Sequence, residues 1–280
     1  MMAGRGDAQV TILKPASGWS LIDLRDLWHF RELIYFLTWR DLKVRYKQTL
    51  LGASWAVLRP FLTMVVFSIF FGKLAGVPSD GVPYPIFSFT ALLPWELFAA
   101  SLTVAAHSLV QNRHMITKIY FPRLILPLSA ILAGVVDFLI AFVVLVGMMV
   151  YYRFVPTANA WTLPLFLLLA LVTALGVGLW LSALNVLYRD INYVTPFLTQ
   201  FWLFITPIAY PASLVPGQWK ILYALNPMAG VVEGFRWALL GIHNPNLGTL
   251  VSTSVIVSLL LLVSGLLYFR RMERIFADMV

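Results

Sequence analysis

The chain has 280 residues, of which 60% are hydrophobic and only 11% charged, with a net charge of +8. A soluble domain carries about 25% charged and about 45–50% apolar residues, so an ordinary soluble fold is excluded. The positive charge lies between apolar runs of about 20 residues, which sets nucleic acid aside and matches cationic loops at an anionic membrane leaflet.

Cysteine is absent, which excludes disulfides, thiolate metal sites and cysteine nucleophiles. The residues through Trp19 contain no apolar leader-like run, so no cleaved secretory signal is expected and the first hydrophobic run stays as an anchor. From about residue 21 to 48 the chain is too charged to span a bilayer. Leu27, Phe30, Leu33, Ile34 and Leu37 nevertheless share one side of a 3.6-residue wheel. The spacing predicts an amphipathic helix lying along the membrane surface.

Six spans are expected in order, over residues 56–75, 86–110, 124–151, 161–187, 194–210 and 250–269. Between the second and third, residues 111–122 form a short polar stretch that carries Met115, Ile116, Ile119 and Tyr120. A mere turn needs no such apolar groups in water; a docking surface for a soluble partner does. Between the fifth and sixth, residues 216–241 hold two apolar pieces separated by Asn226-Pro227 and closed by Gly241. Two short re-entrant helices fit this segment, since broken helices are tolerated where protein or a cavity satisfies the backbone. An interrupted seventh span, with Glu233 and Arg236 paired three residues apart, is the alternative.

Of the 20 Lys and Arg residues, only Lys73, Arg153, Lys220 and Arg236 fall outside if the amino terminus is inside. The positive-inside rule then places both termini in the cytoplasm. No internal repeat or low-complexity linker divides residues 1–280, which read as one domain.

Two carboxylates lie within spans. An ionisable group at that depth is costly unless it is paired or hydrated. Asp137 reads first as a buried structural group. Glu96 follows Pro94-Trp95, where proline frees a carbonyl, and fits a structural or a functional role equally. The four histidines form no ligand cluster, no H-E-x-x-H occurs, and no metal or catalytic site is expected. There is no G-x-x-x-x-G-K-[ST] loop, so any ATP and magnesium belong to another chain. The aromatics Phe67, Phe70, Phe197, Phe201 and Trp202 are candidates for lining a conduit, with others packing or facing lipid.

Six ordered pieces carry a family resemblance. They are Arg40-Asp-Leu-Lys-Val-Arg-Tyr-Lys-Gln-Thr-Leu-Leu-Gly52 with Trp55, Leu93-Pro-Trp95, Lys118-Ile-Tyr-Phe-Pro-Arg-Leu-Ile-Leu-Pro-Leu-Ser129, Tyr188-Arg-Asp190, Thr206-Pro-Ile-Ala-Tyr210 and Asn226-Pro227. Together the chain resembles permease subunits of type-2 ABC transporters, in the branch that exports polysaccharides and polyol phosphates such as O-antigen or teichoic acid. The resemblance implies an all-α permease of the bacterial inner membrane, homodimeric around a central channel and driven by a pair of cytoplasmic ABC ATPase subunits. It would export a lipid-linked, O-antigen-like glycan used in lipopolysaccharide biosynthesis. It also implies a coupling helix over residues 111–122, with Asn112, Arg113, Met115, Ile116, Lys118, Ile119 and Tyr120 meeting the ATPase. Trp219, Tyr223, Glu233 and Arg236 would belong to outer gate helices. A type-2 permease for drugs or lipids is one rival; a membrane glycosyltransferase or acyltransferase is the other. The enzyme would need clustered carboxylates or histidines near one membrane face.

Overall fold

The computed structural model describes residues 24–47, 52–216, 219–273 and 276. The start of the expected amino-terminal helix (21–23), its last residue (48) and residues 217–218 of the expected re-entrant segment lie outside them. All regular structure among the described residues is helical. In order these are α1 (Leu24–His29), α2 (Arg31–Lys47), α3 (Trp55–Phe67), α4 (Tyr84–Gln111), α5 (Arg113–Ile116) and α6 (Ile125–Tyr151). They continue with α7 (Leu163–Leu187), α8 (Ile191–Ile205), α9 (Lys220–Ala224), α10 (Pro227–Leu240) and α11 (Leu247–Glu273).

Among the described residues, five stretches are long and apolar enough to cross a membrane: Gly52–Leu74, Tyr84–Gln111, Ile125–Tyr151, Ala158–Leu187 and Leu247–Glu273. The expected fifth span over 194–210 is helical only as α8, whose 15 residues rise about 22 Å against a hydrocarbon core of about 30 Å. Its end has a local cause. Thr206 precedes Pro207 and is driven to extended backbone, ψ 141°, so the helix cannot continue.

The hub is α4, with most of its side chains buried; it packs against α3, α6, α7, α8 and α10. Next to it, α7 and α11 approach closely enough that a Cβ on Gly265 would sit 2.4 Å from the Gly176 carbonyl oxygen. Trp180 and Tyr268 stack beside this contact at 4.2 Å, and the Trp180 indole donates to Ser264 Oγ at 3.1 Å. Small residues that let backbones touch are the usual means of joining helices where lipid removes the hydrophobic drive.

Two cores result. The larger one fills the bundle around α4, α6, α7 and α10. The smaller sits at the end where α4 finishes and α6 begins; it joins Leu37, Ile116, Phe121, Ile125, Leu179 and Phe269. The wheel face read on the amino-terminal helix packs here, with Leu37 buried and Leu27, Phe30, Leu33 and Ile34 against the cluster. The helix does more than lie on a surface. It runs beside α6, with Thr38 Oγ1 3.4 Å from the Ser129 carbonyl and Arg45 reaching Asp137 farther along.

Within the segment expected to re-enter, α10 is a well-capped helix. The Asn226 side chain accepts from Met228 N at 3.0 Å, Pro227 occupies the first turn, and Gly241 closes it in left-handed conformation, φ 71°. Every residue of α10 except Trp237 is buried.

Candidate functional site

A cavity of about 800 Å³ opens between the carboxyl end of α2, the start of α3, the middles of α4 and α6, and α8. Gly134 lets α6 close on α4, since a Cβ there would meet Ser101 Oγ at 2.9 Å. The cavity contains the only two charged pairs that bridge α4 and α6 to the amino-terminal third among the described residues. Arg45 pairs with Asp137, and the Tyr46 hydroxyl donates to the same carboxylate. Burial and that hydrogen bond push the Tyr46 phenol well above its usual range, so it stays protonated and serves as donor. Arg59 Nε lies 3.3 Å from Glu96 Oε2. Thus both carboxylates singled out in the sequence border one chamber, each with an arginine partner. The arginines were not singled out. Arg45 stands 92 residues from Asp137, and no sequence spacing announces such a pair.

The aromatic candidates do not converge on this chamber. Phe67 is buried edge-on against Phe71 at 5.2 Å. Phe70 points outward, as do Phe197 and Phe201, which stack nearly parallel on the outer face of α8 at 6.2 Å. Trp202 turns inward, donating to Asn226 Oδ1 at 2.8 Å and meeting Phe98 edge-on. Of the six channel candidates, Glu96 alone lines the cavity.

In the expected docking stretch Gln111 closes α4 and only Arg113–Ile116 is otherwise helical. Asn112 ends α4, its side-chain amide donating to the Ser108 carbonyl at 2.8 Å. Ile116 is not exposed as expected: it is buried in the smaller core, with Met115 half-buried beside it. The exposed groups are Gln111, Arg113, His114, Thr117, Lys118, Ile119 and Tyr120, the last two 60% and 68% exposed. Just beyond, Arg123 fastens this turn to the end of α11 through its backbone N–H to Glu273 Oε1 and its guanidinium to the Glu273 carbonyl.

The gate candidates separate into two places. Trp219 is exposed and Tyr223 buried; both border a smaller cavity of about 400 Å³ with Tyr210. Glu233 and Arg236 form a buried network instead. Arg236 Nη1 bonds Glu233 Oε1 at 3.1 Å, Nη2 donates to the Ile208 carbonyl at 2.9 Å, and the guanidinium lies 3.6 Å from the Phe87 ring centroid. Asn244 donates to the other Glu233 oxygen at 2.9 Å. One residue pair therefore ties α10 to α4, to the turn after α8 and to the loop before α11.

No group of three or more potential metal ligands occurs among the described residues. Several helices long and apolar enough to cross a membrane define a multi-pass membrane protein. Residues 32–240 match the ABC-2 type transporter family, and the chain belongs to it. Along nearly its whole length the chain is similar to O-antigen export system permease proteins RfbA. The one from Myxococcus xanthus is 28% identical over 260 residues, covering 92% of this chain and 98% of the relative. The one from Klebsiella pneumoniae is 28% identical over 91% of this chain and 97% of its own length. The polysialic acid transport protein KpsM of Escherichia coli is 23% identical over 72% of this chain and 78% of its own.

Proposed function

We propose that the chain is the permease subunit of an ABC exporter that carries a lipid-linked, O-antigen-like polysaccharide outward across the bacterial inner membrane. The observation that carries this is the end-to-end similarity to O-antigen export permeases, over more than nine-tenths of both chains. Two copies would frame the conduit, and a cytoplasmic ATPase dimer would bind ATP and magnesium. The permease breaks no bond. Its task is to offer two packings whose populations the ATPase shifts, a bias of about 5.5 kcal/mol if the switch is to run from 1:99 to 99:1. Deleting the gene should leave glycan on its lipid carrier inside the cell, and restoring it with its ATPase should return glycan to the surface. Normal surface glycan in the deletion strain would end the proposal, and release of a drug or lipid instead would favour the rival permease.

The turn around α5 is the proposed ATPase contact. Tyr120→Asp should leave the permease at wild-type level in the membrane yet lower ATPase co-purification and export at least tenfold, through a charge forced into a protein interface. Ile116→Asp is a different test, since it places a charge in the permease's own core and should reduce its accumulation. Normal co-purification and export with Tyr120→Asp would remove the docking role.

Both termini are proposed to lie in the cytoplasm. The absence of cysteine makes single-cysteine labelling clean. Ser79→Cys should react with an impermeant maleimide in intact cells, and Thr117→Cys only after permeabilisation; the reverse pattern would invert the orientation.

A further inference from the structure

We infer that the chamber walled by α2, α3, α4, α6 and α8 is a sugar-binding station that admits uncharged glycans and rejects polyanionic ones, with Glu96 and Asp137 as the discriminating groups. This rests on the reading of the chain as a polysaccharide permease. The charge balance carries it. The wall has four charged side chains, Arg45, Arg59, Glu96 and Asp137, and each arginine already engages one of the carboxylates. An acidic polymer entering this space meets two carboxylates, while the charge of each arginine is already offset by its carboxylate partner, so the wall offers the polymer no net positive charge and sets like charges face to face.

An uncharged sugar faces no such conflict. A guanidinium has five N–H donors and a carboxylate about four lone-pair sites, so one pair keeps capacity for hydroxyls on both sides without breaking. The rest of the wall suits hydroxyls and C–H faces. Thr63, Thr103, Thr199 and Gln200 supply neutral polar groups, and the half-exposed Trp55 supplies an aromatic surface. At about 800 Å³ the space falls within the range of small-molecule sites, about 300–1,000 Å³.

The two pairs are unequally held. Tyr46 braces Asp137 alongside Arg45. Arg59 meets Glu96 through one nitrogen and is 68% exposed, so this is the pair that rearranges around a passing hydroxyl. Glu96 is therefore the side chain through which selectivity can be altered without loosening α2.

The test uses two strains that lack their own exporter and assemble polymers on the same lipid carrier, one a neutral mannose homopolymer and the other a sialic-acid homopolymer. Each receives this permease with its own ATPase, and surface glycan is measured; the shared carrier makes its headgroup common to both arms. The neutral polymer should reach the surface at least about tenfold more than the acidic one, as expected from like-charge juxtaposition. Glu96→Gln should raise the acidic-to-neutral ratio by about tenfold. Gln200→Lys, at an exposed position on the chamber wall, should shift it the same way and decides the matter if Glu96→Gln fails to accumulate. Equal export of both polymers by the unaltered permease, or a ratio unmoved by these variants, overturns the selectivity. Retention of both polymers overturns the polysaccharide reading itself, a separable result.

Discussion

Glu233→Ala should destabilise the protein by about 3–5 kcal/mol, the range for removing one partner of a buried ion pair. Arg236 is 1% exposed, and truncating Glu233 removes its ion-pair partner, leaving the Ile208 carbonyl and the Phe87 ring in contact with its guanidinium. The damage should spread, because Asn244 loses its acceptor and the loop before α11 loses its tether. Heating the detergent-solubilised protein and following the surviving monodisperse fraction would show the midpoint fall steeply. Replacing both residues together, Glu233→Met with Arg236→Met, should restore much of it, since a well-packed apolar pair avoids the uncompensated charge. A single Glu233→Ala variant as heat-stable as the parent would mean that the pair contributes nothing.

Gly265→Val should be equally damaging for a reason with no electrostatics in it. The new Cβ would lie 2.4 Å from the Gly176 carbonyl oxygen, and backbone, unlike a flexible side chain, has nowhere to go. The helices α7 and α11 must part, which also undoes the Trp180–Tyr268 stack. Overpacking commonly costs about 1–3 kcal/mol, and a backbone obstacle should place this change at the top of that range or above. Gly147→Ala is the control: nothing lies within 4 Å of its Cβ position, so its midpoint should match or slightly exceed the parent's. Similar behaviour of the two variants would show that the close approach is not needed.

Local rules made much of this architecture legible. Asn226-Pro227 and Gly241 mark the start and end of α10 as written, because caps are set by residues adjacent in sequence. The wheel face from Leu27 to Leu37 faces a core, because a 3.6-residue period survives whatever the helix packs against. What was not legible depends on partners remote in the chain. Hydropathy marks Val194–Tyr210 as one apolar run, but the backbone cannot stay helical at Thr206 before Pro207, so α8 is shorter than the run. Ile116 reads as exposed in a polar stretch, yet it is buried in one apolar cluster with Leu37 and Phe121. The aromatics of α3 and α8 share composition but not direction, and only the packing shows that Phe197 points out while Trp202 points in. Glu96 and Asp137 were identifiable as unusual; that they border one space with Arg59 and Arg45 was not.

The course of α2 along α6 has a mechanical meaning. One part of this helix, at Leu37, is embedded in the same apolar cluster as Ile116. Eight residues on, about 12 Å at the rise of an α-helix, Arg45 and Tyr46 grip Asp137 at the chamber wall. A helix that short does not bend appreciably between two such anchorages. It has the form of a connecting rod: were the α5 turn displaced, a rigid α2 would carry that displacement to the Asp137 side of the chamber as translation.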